Sequence, residues 1–355
     1  METTVQEQTN RTSARSGANS TMHAVIQKSY GSPEVLEVKR VDRPVPGENE
    51  VLIQVHATTV TATEAVFRQG KPYFARLFTG FARPKIETLG EEFAGEVVAR
   101  GRKVTKFSIG EQVFGTAGPE FGAAAEFFCA SEDEAIVRKP ENVTYAEAAS
   151  TVDGFLTALP FLRDKGEIRS GQSVLINGAS GSVGSAAVQI AKYYGAEVTG
   201  VSSGANTELV QSLGADHVID YTQEDFSERR SEFDIIFDAV GKTSFRKSRK
   251  ALRPHGIFLE AGMNMGVMAS VLLTSLFRGR KAKIAATGLR PANEKLADLQ
   301  LLQELLEKRS IVPTIDRTFP LHEIRDAHSY VDTGRKKGNV VVSVDLLQVF
   351  TPSRS

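Results

Sequence analysis

One segment constrains the fold of this 355-residue chain more than any other. Ser173-Val-Leu-Ile-Asn-Gly178-Ala-Ser-Gly181-Ser-Val-Gly184 sets a short apolar run before three glycines spaced by three, and a helix-forming stretch follows at once. Glycine is needed there for backbone reasons. It permits a tight turn, lets the main chain approach a pyrophosphate, and lets the helix pack closely on the strand. Val183, Ala187, Ile190 and Tyr194 share one helical face, and Gly195 stands where that helix should end. The first helical N–H groups lack intrahelical partners and lie at the positive end of the helix dipole. Gly178, Ala179, Ser180, Gly181, Ser182, Val183 and Gly184 are therefore the expected contacts of a dinucleotide's phosphates. No Gly-Lys-Ser/Thr follows, which argues against a Walker-type loop.

The texture of the chain around this turn sets the fold class. From about Thr144 onward, helical patterns alternate with short apolar runs such as SVLIN, AEVTGVS, FDIIFDAVG and GIFLEAG. Such alternation builds a doubly wound parallel sheet of Rossmann type, an α/β architecture. From His23 to about Arg138 the runs are short, rich in Val and Ile, and separated by Gly and Pro turns. They point to a small, mostly antiparallel barrel or sandwich. The chain closes with a helix near Asn293 to Arg309, a shorter helix near His322 to Asp332, and the strand-like GNVVVSVDLL. The expected organisation is a disordered tail over 1–21, a β-rich domain over 22–150, a dinucleotide-binding domain over 151–289, and a return to the first domain over 290–350.

The end of the second strand of the α/β part bears on which dinucleotide binds. An NAD site usually offers an acid there, about 20 residues past the turn, to accept hydrogen bonds from the adenosine ribose. Here the residues are Val201-Ser202-Ser203-Gly204-Ala205-Asn206, with no acid. Ser202, Ser203 and Asn206 offer hydrogen bonds without repelling a 2′-phosphate. Tyr221 adds a phenolic donor, and Arg335, Lys336 and Lys337 bring positive charge. NADPH is thus expected over NADH. Gly241 and Gly262 follow the fourth and fifth strands, at the edge where ligands of such folds bind.

Composition excludes several alternatives. Lys and Arg number 43 and Asp and Glu 43, so nothing in the balance suggests a nucleic-acid partner. The single cysteine, Cys129, excludes an internal disulfide framework and a multi-thiolate zinc site. The N-terminal residues lack the apolar stretch of a secretory signal, and a cytoplasmic protein is expected. Gly266 to Phe277 is the most apolar stretch; it is too short to span a bilayer and is expected to form a buried or interfacial helix.

On several ordered motifs the sequence resembles the medium-chain dehydrogenase/reductase superfamily, in its zinc-free quinone oxidoreductase branch. They are Gly90-Glu-Glu-Phe-Ala-Gly95, Phe107-Ser-Ile-Gly-Glu-Gln-Val-Phe-Gly115, Gly154-Phe-Leu-Thr-Ala158, the glycine turn, and Leu213-Gly-Ala-Asp216. The resemblance runs from about Met22 to Val344. It implies a substrate domain of chaperonin-10 (GroES-like) type, an active site in the cleft between two domains, and a homodimer through the sheet edge near Lys283 to Gly288. It also carries roles to single residues. Tyr73 matches a tyrosine that looks into the cleft, and Thr157 a threonine near the nicotinamide carboxamide. Thr61 stands where the family often has an Asn close to the hydride acceptor.

Zinc alcohol dehydrogenases of the superfamily have His where this chain has Glu91. The six histidines (His23, His56, His217, His255, His322, His328) form no ligand-spaced cluster, so no metal is expected. Without a Lewis acid, hydride addition to a quinone or α,β-unsaturated carbonyl is easier to support than alcohol oxidation. The expected activity is NADPH-dependent reduction of such acceptors. Two alternatives stay open: an alcohol dehydrogenase of the same superfamily, and an NADPH-binding structural or regulatory protein.

Overall fold

The computed structural model describes residues 21–71, 73, 76, 80–262, 265–276 and 278–344. The expected tail lies, but for Thr21, outside the described residues. The β-rich part begins with an antiparallel pair, β1 (Thr21–Gln27) and β2 (Leu36–Asp42). The long strand β3 (Glu50–Val60) then runs into α1 (Ala62–Gln69), and β4 (Glu92–Arg100), β5 (Gln112–Thr116), β6 (Phe127–Ser131) and β7 (Ile136–Arg138) follow. Alternate residues Val51, Ile53 and Val55 of β3 enter one core with Phe93, Val97 and Val113, as the two-residue strand period requires.

The next helix, α2 (Tyr145–Leu159), starts at a capping box in which Thr144 and Glu147 bond each other's backbone N–H groups. It is buried along most of its length. β8 (Ser173–Asn177), α3 (Ser182–Tyr193), β9 (Glu197–Ser202), α4 (Thr207–Ser212) and β10 (His217–Asp220) form the first half of the dinucleotide-type sheet. β11 (Phe233–Asp238), α5 (Phe245–Ser248), β12 (Leu252–Glu260), α6 (Met265–Ser275) and β13 (Lys281–Lys283) form the second. All six strands are parallel, in the order β10-β9-β8-β11-β12-β13. Strand order reverses beside β8, and the crevice that opens at such a switch point is where ligands bind. Val174 and Ile176 of β8 face one core, with Ala187 and Ile190 of α3. Leu175 between them faces the other, with Phe226, Phe258 and the flanking Phe245 and Val271.

After α7 (Ala292–Glu307) the chain returns. β14 (Ile315–Pro320), α8 (Ile324–Asp332) and β15 (Asn339–Ser343) complete a seven-stranded sheet ordered β14-β15-β3-β4-β5-β7, with β6 also on β3. β15 lies antiparallel to β3 with Val341 opposite Thr59.

Of the two forms expected for the apolar stretch over 266–277, buried or interfacial, the structure excludes the buried one: within α6 only Val267 is buried. Val267 is buried, Val271 packs on the core under the sheet, and Thr274 Oγ1 accepts from Ala282 N of β13 at 3.0 Å, while Met265, Met268, Leu272 and Leu273 stay exposed. Among the described residues no helix is long and apolar enough to cross a membrane.

Candidate active site

The three glycines of the turn are needed for three different reasons. Gly178 has φ +82°, and a Cβ there would meet Val240 Cγ1 at 2.4 Å. A Cβ on Gly184 would lie 2.0 Å from the carbonyl oxygen of Gly178, so the helix could not approach the strand. A Cβ on Gly181 meets nothing closer than 3.6 Å within the protein, which leaves the open side of the turn for a ligand. The amides of Gly178 and Ala179 both donate to Val201 O at 3.0 Å, and the Ala179 side chain is fully buried. These two residues therefore shape the turn, and their N–H groups are not available to phosphate. The amides of Ser182, Val183 and Gly184 open α3, where no helical carbonyl precedes them by a turn.

The ends of the neighbouring strands meet this turn. Asn206 Nδ2 donates to Ser180 Oγ at 3.0 Å, while Asn206 Oδ1 is buried without a hydrogen-bond partner. An unsatisfied buried acceptor of this kind fits a ligand hydroxyl. Ser202 is buried and its hydroxyl donates to Ser203 O at 3.1 Å, so it is turned away from any ligand. Ser203 is half-buried at the start of the next turn. Tyr221 donates its N–H to Ser202 O at 3.0 Å and leaves its ring exposed. Asp238 accepts from the amides of Val240, Gly241 and Thr243 and from Asn177 Nδ2, which fixes the loop carrying Gly241. Gly262 lies beside it; a Cβ there would come 3.8 Å from Gly241 Cα.

A contact from the far end of the chain completes the turn. Gly338 N donates to Ser180 O at 2.7 Å, and Gly181 and Gly338 form a parallel bridge. The Arg335-Lys336-Lys337 run leads directly into this contact, with Lys337 N donating to Asp316 Oδ2 at 2.8 Å. Arg335 and Lys337 are exposed there. Lys336 behaves differently: its Nζ donates to Gly338 O at 2.7 Å, and the side chain is drawn inward toward Asp153, Asp316 and Glu92.

Sequence reasoning passed over two features. Asp220, at the end of β10, lies beside the Gly204 turn, and its carboxylate accepts from Thr222 N at 2.9 Å and Thr222 Oγ1 at 2.8 Å. These bonds hold it below the usual carboxylate range. An acid thus stands near the adenosine end after all, one strand further on than the expected position.

The second missed feature is a set of enclosed carboxyls between the two sheets. Ser182 Oγ, in the first turn of α3, donates to Asp153 Oδ2 at 3.3 Å, and Thr157 also hydrogen-bonds Asp153. Asp153 in turn faces Glu91, the residue just before β4. Burial pushes Glu91 up to about 7, with the charge of Asp153 adding to the rise. Burial also raises Glu92, Asp153 and Glu64, the last to about 8, while Lys336 is lowered. A carboxyl that keeps its proton to about neutrality, as Glu91 does, can donate a hydrogen bond, whereas Glu64 accepts from Gly90 N at 2.6 Å and Thr61 N at 3.3 Å. A spacing rule could not have found these carboxyls, because they come from β4, α1 and α2.

Thr61 meets this cluster through its backbone, its N–H donating to Glu64 Oε2 at 3.3 Å. Thr61 caps α1: its hydroxyl accepts from Glu64 N at 3.1 Å, and the residue is buried. Tyr73 is exposed, with the Arg76 guanidinium 4.9 Å from its ring centre. Among the described residues no group of three or more His, Cys, Asp or Glu could hold a metal. Cys129 lies on β6, its thiol pushed up to about 11 by burial. With one cysteine in the sequence, no multi-thiolate zinc site is available.

Known proteins resemble this chain along nearly its whole length. Residues 47–141 match the alcohol dehydrogenase GroES-like domain family, and residues 213–342 the zinc-binding dehydrogenase family. The 2-methylene-furan-3-one reductase of Solanum lycopersicum is 33% identical over 335 residues, covering 91% of this chain and 79% of that protein. The chloroplastic NADPH-dependent alkenal/one oxidoreductase of Arabidopsis thaliana is 31% identical over 338 residues, covering 90% and 79%. The solved structure of the quinone oxidoreductase from Coxiella burnetii superposes with a TM-score of 0.81 at 30% identity, covering 92% of this chain and 100% of that one.

Proposed function

The chain belongs to the medium-chain dehydrogenase/reductase superfamily, in its quinone oxidoreductase branch, and on that premise we propose that it is an NADPH-dependent, zinc-independent reductase of quinones or α,β-unsaturated carbonyls. The observation that carries the reading is the turn itself. Gly181 leaves its outer side open, Asn206 keeps an unmet acceptor beside it, and Gly338 brings Arg335 and Lys337 within reach of phosphate charge. The dinucleotide would be held by the first-turn amides of Ser182, Val183 and Gly184, with Thr157 and Asp153 at the cleft end. Ser203, Tyr221 and the two exposed cations would take the 2′-phosphate. Reduced nicotinamide, when bound, supplies a hydride.

The chain's own residues then manage charge and protons. An acceptor that gains a hydride at carbon develops negative charge on its carbonyl oxygen, and a nearby donor stabilises it. Glu91, still protonated near neutrality, is the donor we assign, in preference to Tyr73 and Thr61. It gives its proton to the reduced acceptor and recovers one from solvent. Thr157 and Ser182 fix Asp153 beside it. The relatives' names support the acceptor class: one acts on a methylene-furanone, another on alkenals and alkenones. We place the enzyme in the cytoplasm, as a homodimer through the backbone edge of β13. The test is to mix the protein with NADPH and a panel of quinones and enones and to follow the reduced-nicotinamide absorbance. Folded protein that oxidises no NADPH with any acceptor overturns the reading.

A further inference from the structure

We propose that the face formed by α5, α6 and the loop before β11 docks on an anionic phospholipid bilayer. This surface is separate from the cleft. Phe226, Phe245 and Val271 anchor its three parts to the same side of the parallel sheet, over Leu175, Ile236 and Phe258. α6 has no charged residue from Met265 to Leu276. Its outer row is Met265 (86% exposed), Met268 (45%), Leu272 (66%) and Leu273 (59%), continued by Leu276 (72%). A surface helix ordinarily presents polar residues there, and a contiguous apolar ridge of this kind marks an interaction site.

The ridge has a cationic border. Between Ala239 and Asn293 the chain has eleven Lys and Arg and a single acid, the buried Glu260, although Lys247, Arg253, Lys283 and Arg290 pair with acids from outside that stretch, Asp225, Asp234, Glu167 and Glu294. Arg230, Arg246, Lys247 and Lys250 line an open cavity of about 690 Å³, with Glu228 its one acidic wall. The border and the ridge are stitched together. Arg280, just past α6, donates to Leu252 O at 2.8 Å and to Ser231 Oγ at 3.5 Å, and Ser231 N donates to Lys250 O at 2.9 Å. An apolar helix lying flat, too short to span and flanked by cations, is the geometry of an interfacial membrane contact. The ridge enters the acyl boundary while the cations meet lipid phosphates. Self-association through the same face fits less well, because a two-fold contact sets like patch against like patch and would oppose the cations to one another.

Vesicle sedimentation tests the assignment. Wild-type protein is expected to pellet at low salt with phosphatidylcholine vesicles containing phosphatidylglycerol, and to stay in solution with phosphatidylcholine alone. Leu272→Glu/Leu273→Glu and Arg246→Glu/Lys250→Glu should each lower the partition coefficient at least about tenfold, and high salt should do the same to wild type. All four side chains are exposed, so circular dichroism and melting should show both variants folded. Wild type that ignores anionic vesicles, or variants that bind as well as wild type, overturn the proposal. So does loss of a dimer in Leu272→Glu/Leu273→Glu with vesicle binding unchanged, which would give the ridge to a second copy.

Discussion

In the proposed reading, single residues carry the choice of nucleotide and the proton. Ser203→Asp puts a carboxylate where the 2′-phosphate is expected, a group of about −1.5 to −2 charge. NADPH should bind at least about tenfold more weakly and NADH about as before, an effect on the order of 1–2 kcal/mol. Asp220→Asn should act in the opposite direction and tighten NADPH severalfold, because it removes a carboxylate held ionised beside the Gly204 turn. Fluorescence titration with both nucleotides reads both variants. Glu91 makes the sharper test. Its proton is held to about pH 7, so turnover should fall as pH rises through that value. Glu91→Gln should lose roughly 10²-fold in kcat and with it this alkaline limb, while NADPH affinity is kept. A variant with the wild-type pH profile would remove Glu91 from the chemistry.

At the scale of the element, the glycine turn predicts contrasting outcomes. Gly184→Ala drives a Cβ to 2.0 Å from the Gly178 carbonyl and should unfold or badly distort the β8–α3 unit. Gly181→Ala has room and should cost no more than about 1 kcal/mol in stability, yet weaken the nucleotide at least tenfold. Thr61→Ala separates capping from chemistry. It should cost about 1 kcal/mol through loss of the cap and leave turnover largely intact. These elements were legible in the sequence because their signals are local. Three glycines at fixed spacing, Val174 and Ile176 alternating with Leu175, and Leu299, Leu302 and Leu306 recurring on the buried face of α7 each speak through neighbours a few residues away. The enclosed carboxyls were not legible. Glu64 and Asp153 read as ordinary surface acids, and Glu91 only as the replacement for the zinc enzymes' His, until α1, β4 and α2 are brought together. The apolar run of α6 was legible as a helix but not as buried or interfacial, since hydrophobicity alone does not say whether a second layer exists to cover it.

For the molecule as a whole, the carboxyl set makes stability depend on pH with a definite sign. Glu64 and Glu91 release protons near 4.5 when unfolded and near 8 and 7 when folded. Between those values the folded state holds more protons, so stability falls as pH rises from about 4.5 to 8. His328, lowered from 6.5 to about 3 by burial, works against this and withdraws stability as pH drops below 6.5. With four raised carboxyls against one imidazole, the melting midpoint should be higher at pH 5 than at pH 8. Glu64→Gln should flatten part of that slope, readable by calorimetry as a smaller difference in melting midpoint between pH 5 and pH 8, although its amide nitrogen gives up one of the two backbone bonds that Glu64 accepts, from Gly90 N and Thr61 N. Gly338→Ala tests the link between the two sheets. Its φ is +63°, and a Cβ would lie 2.3 Å from Thr314 O, so the substitution should shift β15 and loosen nucleotide binding together.

That link has a practical consequence. Part of the wall around the dinucleotide is supplied by the last strand's approach, residues that fold with the opposite lobe. An excised 151–289 fragment would lack one side of its own doorway. Anyone recombining halves from two such reductases would have to transplant the stretch around Gly338 with the nucleotide half, or expect a chimera that folds and leaks its coenzyme.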